Sequence, residues 1–568
     1  MNFINKSPNN PKALFFRIAI LISIPVVSLF FQNCSSGLQS TAISNDKTSN
    51  SSSNSETTNT GNGSTTPPPV VTTPAASFSV SPCVASGLGT DYQVGPGAGQ
   101  IASLDKVPWE NLKAGDTVRI FYSATPYRGH ILVAANGTAK APVRVCGVKG
   151  SGGERPIIDG QNAIARKGLS YTGASSNNIQ ETRALVLIDR LGTQDYNTAY
   201  PTYIQIDGLE IRAQHPSYSF TNSKGTVQTY DSFGGCVWVE RGKNITIADN
   251  VIHDCTNGIY SRSVDVGVGT VTITENLRIA GNYIYGNGMA NDEHEHNLYV
   301  QSVRPIYEYN RIGPLRANSG GGALKDRSVG PIIRYNYIEQ GAHSLDLVEA
   351  EDYPETAMSY ADYRTTFVYG NIINKDSNSG TAIHYGGDHF YSEPGSLWGE
   401  PIFRKGTLYF FNNTVRLTGS APVTFQLSTT EEKAEIWNNI FIYPTAGAVP
   451  SLRAAWDDVN YTYWTSGGTF NLGRNWVPSN FVDATSNHAV PNVAAGLSNL
   501  IKGSTSPIDD KTFIPLSGSA VLDKAQAQLA AVASYPVLFQ LDISSYTPQS
   551  RTVFGAASDL GAIERTSP

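Results

Sequence analysis

The chain has 568 residues, of which 40% are hydrophobic and 15% charged, and its formal net charge is -6. This composition permits a large buried core, and the negative net charge gives no electrostatic footprint for nucleic acid. The 53 glycines and 29 tyrosines favour many short strands and turns over helices. We therefore expect an all-β protein that has no nucleic-acid partner.

Residues 1–33 have the pattern of an export signal. Positively charged residues precede an apolar run over 18–31, and Cys34 follows it. This order is typical of signal peptides, and the run is too short for a comfortable membrane span. The sequence before Cys34 resembles a bacterial lipoprotein signal, which implies that this cysteine becomes the lipidated first residue. Asn33 replaces the usual small residue, so a plain secretory signal or an uncleaved anchor stays open.

Residues 34–78 predict a flexible tether. They are Ser, Thr, Asn and Pro with almost no large apolar side chains, so they cannot bury enough surface to offset the entropy cost of ordering. We expect a monomer that is attached to a membrane through the lipid on Cys34. The lipoprotein resemblance implies the bacterial cell envelope, at the outer membrane or the cell surface.

Four further cysteines, an even number, follow the tether. In an oxidising compartment, Cys83 can pair with Cys146, and Cys236 with Cys255, which would staple the N-terminal cap and two neighbouring repeats. Four free, buried thiols are an equal alternative, because spacing does not fix connectivity.

A repeated pattern indicates the architecture of the middle of the chain. A β-rich run ends in an Asn and is followed by another apolar run, at intervals of 26 to 42 residues. The repeated residues are Asn250, Asn282, Asn310, Asn336, Asn371, Asn413 and Asn439. Irregular intervals of this size predict a solenoid whose loops vary in length. We expect each Asn to take a left-handed turn between strands and the side-chain amides to stack as a ladder. Unrelated helix caps or surface amides are the alternative.

Short motifs at both ends carry a family resemblance. They read Leu-Lys-Ala-Gly-Asp-Thr-Val-Arg-Ile at 112–120, Ala-Pro-Val-Arg-Val-Cys-Gly at 141–147, Pro-Ile-Ile-Asp-Gly at 156–160, Phe-Ile-Pro-Leu-Ser-Gly-Ser at 513–519 and Asp-Leu-Gly-Ala-Ile-Glu at 559–564. They resemble the opening and closing segments of bacterial right-handed parallel β-helix proteins. This resemblance covers residues 85–568 and implies an all-β, single-stranded right-handed parallel β-helix with an N-terminal cap over 79–445. Irregular coils and a C-terminal cap would follow over 446–568.

The C-terminal part departs from the repeat. We expect the Asn ladder to stop near residue 445, where Trp456, Trp464 and Trp476 stand among Gly, Asn and Pro residues. Residues 525–534 are the best helix candidate in the chain and would lie across the open end of the solenoid. A small second domain is the alternative.

The strand before each Asn predicts one face of the solenoid. The inward apolar column is Val237, Ile259, Leu298, Leu324, Leu345, Ile383 and Phe425. Because side chains alternate along a strand, the next residues point outward. This outward column is Trp238, Tyr260, Tyr299, Lys325, Asp346, His384 and Gln426, with Arg262 and Arg327 two positions further along their strands. Asp326 falls at an inward position, which predicts a bulge or a pairing with Lys325 or Arg327.

The outward column has the composition of a sugar-binding groove. Aromatic rings stack on sugars, and the Lys, Asp and His that follow can transfer protons. We expect Trp238, Tyr260, Tyr299, Arg262 and Gln426 to bind polysaccharide. Unconnected polar residues on a solenoid surface are the alternative.

Two acidic clusters flank this face. The loop before the Tyr299 strand contains Glu293, Glu295 and His296, and such a group can bind a cation or act as acid and base. Glu349 begins a second acidic run, which offers oxygen ligands to Ca²⁺. A solvated loop explains each cluster equally well.

The chain also resembles polysaccharide lyases of family six, the chondroitinase B and alginate lyase group. This resemblance implies β-elimination of an acidic polysaccharide, in which the uronate carboxylate is neutralised, the neighbouring proton removed and the glycosidic oxygen expelled. Lys325 is then the expected base and Arg327 the carboxylate partner. His384 or His296 would be the acid or an alternative base.

Other functions stay open. In family six two calcium-binding glutamates shortly precede the catalytic Lys, whereas here Lys325 comes one coil after Glu293 and Glu295, so a metal-free lyase is an alternative to a Ca²⁺-dependent one. A glycoside hydrolase would use Asp346 with Glu349 or Glu295. A uronate epimerase would use the lyase groups, and a non-catalytic glycan-binding protein would depend on the aromatic residues.

Overall fold

A computed structural model describes residues 80–173, 179–265, 271–376, 380–389, 392–453, 468–484 and 493–566. The predicted signal, Cys34 and the predicted tether lie outside the described residues. All described residues except Gly173 belong to one compact unit. Within them the protein is nearly all β, and its two α-helices, Ile179–Arg183 and Pro354–Ser359, are short. In this part of the chain, neither helix has the length and hydrophobicity needed to cross a membrane.

Three parallel sheets form the body of the protein, and each coil contributes one strand to each sheet in turn. In the described residues, sheet 1 consists of Ile131–Val133, Ala184–Ile188, Gly235–Val239, Asn257–Ser261, Leu298–Val300, Leu324–Asp326, Leu345–Leu347, Ile383–Tyr385, Val423–Leu427, Ser451–Arg453 and Val482–Ala484. Sheet 2 consists of Asp91–Val94, Thr117–Phe121, Val143–Val148, Thr202–Asp207, Gly242–Ala248, Thr274–Ala280, Ile306–Glu308, Ile332–Arg334, Thr365–Tyr369, Thr407–Phe411, Lys433–Trp437, Thr469–Leu472 and Val493–Ala495. Sheet 3 consists of Ile157–Asp159, Glu210–Arg212, Val251–His253, Tyr283–Tyr285, Arg311–Ile312, Tyr337–Glu339, Ile372–Asp376, Thr414–Thr418, Ile440–Ile442, Trp476–Pro478 and Ile501–Gly503.

Smaller elements lie beside these sheets. A three-stranded sheet is formed by Ala163–Ile164, Ser219–Thr221 and Val227–Thr229, and an antiparallel pair by Phe539–Asp542 and Thr547–Ser550. Short 3-10 turns occur at Leu104–Lys106, Trp109–Asn111, Ala361–Arg364, Glu400–Ile402, Leu497–Asn499 and Ala530–Val532.

The fold is the predicted parallel β-helix. The predicted inward column is buried and in register: Val237 pairs with Ile259, and Ile259 with Leu298. Stacking the same apolar position in every coil removes one continuous surface from water, which is the main stabilising term for a solenoid. The three parallel sheets are the architecture that the resemblance to parallel β-helix proteins implied.

The Asn ladder forms at the corner between sheets 2 and 3. The backbone N–H of each predicted Asn donates to the side-chain oxygen of the next, over 2.8–3.0 Å. The predicted left-handed conformation is wrong for the Asn itself. The residue before it has the positive φ, as in Asp249 (50°), Tyr309 (58°) and Tyr335 (56°). The turn is therefore made one residue earlier, which leaves the Asn side chain aligned for stacking.

The ladder continues beyond its predicted end. Asn439 N–H donates to Asn475 Oδ1 at 3.0 Å, and strands of all three sheets extend to Ile501–Gly503. The predicted end of the ladder near residue 445 is thus wrong. The strand Thr469–Leu472, with Phe470 and Leu472 buried, precedes Asn475 as in the earlier coils.

The predicted helix over 525–534 is also wrong, since only a 3-10 turn forms there, at Ala530–Val532. Gln526 exchanges hydrogen bonds with Asn438, of 2.8 and 2.9 Å, so tertiary contacts override helix propensity. The segment packs Val532, with Ala525 and Leu529, against the same cluster as Tyr335 and Trp476, along the side of the solenoid.

The cysteines form both predicted disulfides. Cys83 is bonded to Cys146, which ties the N-terminal described residues to sheet 2. Cys236 is bonded to Cys255, which joins two neighbouring coils. Free thiols are therefore excluded at these four positions.

Candidate functional site

The predicted outward column lies on the outer face of sheet 1 in the predicted register. The pairs are Trp238 with Tyr260, Tyr260 with Tyr299, Tyr299 with Lys325, Lys325 with Asp346, Asp346 with His384 and His384 with Gln426. Parallel strands lie about 4.8 Å apart, so these side chains are direct neighbours.

The aromatic half of this column is covered. Trp238, Tyr260 and Tyr299 are 1%, 4% and 8% exposed. Phe233 lies edge-on to all three rings, with centroids 5.9, 5.3 and 6.3 Å away. The prediction of an open wall of rings that stacks sugars is therefore wrong, because a loop side chain with no periodic signal closes over it. Arg262 is bound to Glu240 at 2.6 Å, and Gln426 is partly buried at the other end of the column.

Asp326 points inward without a bulge. Its strand pairs in register on both sides, and its side chain is fully buried. Asp326 Oδ1 lies 2.7 Å from the guanidinium of Arg404, and Tyr307 donates to Oδ2 at 2.6 Å. Both predicted explanations are wrong, because the neutralising cation comes from a loop 78 residues further along the chain.

Lys325 is held between two carboxylates. Its Nζ lies 2.9 Å from Asp346 Oδ2 and also contacts Asp388. Burial alone would lower the pKa of Lys325, but the charges of Asp346 and Asp388 raise this pKa above its ordinary value. Lys325 is therefore an ammonium group, and the predicted role of base does not fit it.

Arg327 is the second cation and holds the same carboxylate. Its guanidinium donates to both oxygens of Asp388, at 3.0 and 3.1 Å, to Tyr299 Oη at 3.1 Å and to the carbonyl of Glu349 at 2.9 Å. Arg327 Nε also lies 3.1 Å from Glu351 Oε1. The side chain of Asp388 is 22% exposed, whereas that of Arg327 is 3% exposed. Lys325 and Arg327 thus form a cation pair that binds one carboxylate at the protein surface.

His389 completes this charged network. Its Nδ1 lies 2.5 Å from Glu349 Oε1, and its Nε2 lies 2.9 Å from Glu351 Oε2. Burial would lower the pKa of His389, but Glu349 and Asp388 raise it to about 10, so the ring is an imidazolium. The exposed ring of Trp398 lies 4.9 Å from the His389 ring.

The charged network was only partly visible in the sequence. Its cations are Lys325, Arg327 and His389, and its carboxylates are Asp346, Asp388, Glu349 and Glu351. Asp388 and His389 were missed. They follow the strand Ile383–Tyr385 as Glu349 follows Leu345–Leu347, and that shared position is the signal that could have found them.

An imidazole cluster of His343, Asp346 and His384 adjoins Lys325. His384 Nδ1 lies 2.8 Å from Asp346 Oδ1, and the His343 ring is 5.1 Å from the His384 ring. Burial would raise the pKa of Asp346, but Lys325 and His384 hold it below its ordinary value, so this carboxylate is ionised. Burial lowers the pKa of His343 to about 4, which keeps its imidazole neutral at pH 7. His343 was missed, although it stands two residues before Leu345 as His296 stands before Leu298.

His296 is buried beside the column. Its Nδ1 accepts a hydrogen bond from Gly322 N–H at 2.7 Å, and burial lowers its pKa to about 3. Its Nε2 has no hydrogen-bond partner among the described residues. His296 is thus a neutral imidazole that makes no hydrogen bond to the charged network.

The predicted Ca²⁺ ligands do not come together. Glu293 is exposed, while Glu295 is buried and its pKa is raised to about 8, chiefly by burial. Among the described residues, two groups of three side chains bring potential ligand atoms within 4.8 Å: His343 with Asp346 and His384, and Glu349 with Asp388 and His389. Neither group contains Glu293 or Glu295, and Glu349 is already neutralised by Arg327 and His389.

The chain matches no protein-family model and no curated protein. Similar solved structures include an alginate lyase from Paenibacillus sp. str. FPU-7, with 12% identity and a TM-score of 0.32, covering 69% of this chain and 94% of that one. A pectate lyase has 12% identity and a TM-score of 0.35, covering 85% and 98%. A GH136 lacto-N-biosidase from Eubacterium ramulus has 15% identity and a TM-score of 0.32, covering 68% and 67%. Similarity at this level carries no conclusion about activity.

Proposed function

We propose that this protein acts on an acidic polysaccharide and cleaves it by β-elimination on the outer face of sheet 1. The observation that carries the proposal is the cation pair: Lys325 and Arg327 hold one carboxylate, that of Asp388, between them. Two buried cations that bind a carboxylate at the surface are suited to bind the carboxylate of a uronate in the same way.

β-Elimination needs this charge arrangement. Removal of the proton at C5 of a uronate moves negative charge onto its carboxylate, and cations placed beforehand at that carboxylate stabilise the transition state. Arg327 supplies a planar fork of donors, and Lys325 supplies a point charge. Substrate would take over contacts that Asp388 now makes.

We assign removal of the C5 proton to the imidazole cluster. It adjoins the cation pair through Asp346, which contacts both Lys325 and His384. A neutral imidazole accepts a proton, and His343 is neutral and only partly buried. The sequence analysis predicted Lys325 as the base, and we assign that role to this cluster instead.

The alternatives have less support. A hydrolase needs a protonated carboxylic acid opposite an ionised one. Asp346 and Glu349 each contact a cation, and Glu295, whose pKa burial raises to about 8, makes no ion pair with the charged network among the described residues. Glycan binding through the aromatic column is disfavoured because those rings are buried. An epimerase would use the same groups as a lyase and differs only in its product.

We also propose that the protein is exported and lipid-anchored through Cys34. The two disulfides support an oxidising compartment. Fractionation of cells that express the parent or Cys34→Ser tests the anchor. Membrane association should be lost in the variant, and its persistence would refute lipidation at this position.

The activity is tested by product analysis. The protein and its Lys325→Ala and His294→Ala variants are incubated with alginate, pectate and glycosaminoglycans, and the products are identified by mass spectrometry. Unsaturated uronate ends from the parent and His294→Ala, but not from Lys325→Ala, support the proposal. His294 is the control because it is an exposed histidine outside the network. Saturated ends would indicate hydrolysis, inverted uronates without cleavage would indicate epimerisation, and binding alone would indicate a glycan-binding protein.

A further inference from the structure

We propose that His343, Asp346 and His384 bind one divalent transition-metal ion of the Zn²⁺ type. One potential ligand atom from each residue lies within 4.8 Å of the others. His384 Nδ1 and Asp346 Oδ1 are already 2.8 Å apart, a separation compatible with two ligands of one ion. These three residues form a group distinct from the predicted Ca²⁺ ligands.

The remaining hydrogen bonds orient both imidazoles toward a shared centre. His343 Nδ1 donates to the backbone carbonyl of Thr381 at 3.0 Å, which leaves Nε2 as the atom with a free lone pair. His384 Nε2 lies 3.1 Å from Ser428 Oγ, which leaves Nδ1 facing Asp346. Metal-binding histidines are held in the same way, with the second ring nitrogen donating to an oxygen.

The Ser428 hydroxyl fits the accepting role. Ser428 donates its own proton to the carbonyl of Gly387, so its oxygen can accept from His384 Nε2–H. His343 thus presents Nε2 with a lone pair, whereas His384 Nδ1 donates to the ionised Asp346 Oδ1 in this structure and would release that proton when an ion binds.

The ligand set selects the class of metal. Two imidazoles and one carboxylate suit Zn²⁺, Fe²⁺ or Co²⁺, whereas Ca²⁺ prefers oxygen ligands alone. Three protein ligands also leave a coordination position for water. The other group, Glu349, Asp388 and His389, does not qualify, because Arg327 already contacts both of its carboxylates.

The chemical role of the ion rests on the proposed function, whereas binding itself does not. A metal-bound water loses its proton near neutral pH. Because His343 Nε2 would then be a ligand, the resulting hydroxide would replace the His343 imidazole as the group that takes the C5 proton of the uronate, and it would become water again. The electron pair of the C–H bond then forms the C4–C5 double bond as the C4–O bond breaks, and the leaving oxygen takes up a proton. The metal keeps its oxidation state.

Metal binding is measured without polysaccharide. The full protein without a histidine tag is stripped with chelator and titrated with Co²⁺, whose visible absorption reports coordination, and with Zn²⁺ by calorimetry. We expect one equivalent to bind, at least about tenfold more weakly in His343→Ala and in His384→Ala than in the parent. The control His294→Ala should match the parent. Circular dichroism verifies that each variant is folded.

Two results would overturn the metal site: no saturable binding by the parent, or affinity unchanged in both variants. Either one leaves the lyase proposal standing. Metal binding in a protein that forms no unsaturated product would instead refute the lyase proposal and keep the site.

Discussion

Lys325 and Asp388 form an ion pair on the outer face of sheet 1, although 63 residues separate them in the chain. Asp388 lies just beyond the strand Ile383–Tyr385 and also binds Arg327. A loop carboxylate therefore binds two cations that lie in and directly after the strand Leu324–Asp326, and several expectations follow from this contact.

Removal of the Asp388 carboxylate should destabilise the protein. Asp388→Ala leaves Lys325 and Arg327 with unmet hydrogen-bonding capacity in a largely buried setting, which costs about 1.5–3 kcal/mol. Urea unfolding measures the loss. Glu293→Ala is the control, because Glu293 is exposed and its removal should change stability by no more than about 0.5 kcal/mol. Equal stabilities for the two variants would show that the contact contributes little.

Arg327→Lys should reduce activity although it keeps the charge. The guanidinium contacts Asp388, Tyr299 and the Glu349 carbonyl at once, and an ammonium group cannot reproduce that planar fork. We expect kcat/KM on the acidic polymer to fall by about a hundredfold, the usual effect of losing one transition-state donor. Arg262→Lys, outside the cation pair, should change it only a few-fold. A fully active Arg327→Lys would argue against carboxylate recognition by this side chain.

The stabilising effect of His389 should disappear at high pH. Its pKa is raised from 6.5 to about 10 in the folded protein, so its contribution is fully present below about pH 6.5 and is lost as the pH rises through 10. Melting temperatures of the parent and His389→Gln, measured from pH 6 upward, should converge within this window. A constant difference across the window would mean that the ring is not an imidazolium in the native state.

The Asn ladder should contribute strongly to stability. Asn336 Oδ1 accepts from the backbone and side chain of Asn310, and its amide donates to Asn371 and to the carbonyl of Tyr307, all over 2.9–3.0 Å. Asn336→Ala leaves these buried groups unpaired, which costs about 2–4 kcal/mol. Asn480→Ala removes one side-chain hydrogen bond, to the carbonyl of Ala448, and should cost about 1 kcal/mol by the same urea measurement. Similar losses of stability in the two variants would show that stacking of the Asn side chains contributes no more than a single hydrogen bond.

The fold could be predicted because its signals are local and repeated. Each coil repeats an apolar strand residue and an Asn, so Leu298 and Leu324 can be aligned without knowledge of the loops between them. The same alignment placed Tyr299 beside Lys325, as the strand pairing has it.

The site depends on contacts that do not repeat. Phe233 covers the aromatic column and Arg404 neutralises Asp326, each from a loop with no periodic pattern, and Asp388 joins the two cations from the loop after Ile383–Tyr385. The residue types along the strands of sheet 1 therefore indicated which part of its outer face carries the charged groups. They did not reveal that two carboxylates fix Lys325 as a cation, because one of them, Asp388, lies 63 residues away.

The rate at which unsaturated uronate forms, followed by its ultraviolet absorbance, tests the central claim most directly. The parent should generate this product from an acidic polysaccharide, and a folded Lys325→Ala variant should do so at least about a hundredfold more slowly. Equal rates in the parent and the variant, or no unsaturated product from any acidic polymer that the parent binds, would contradict elimination at this site.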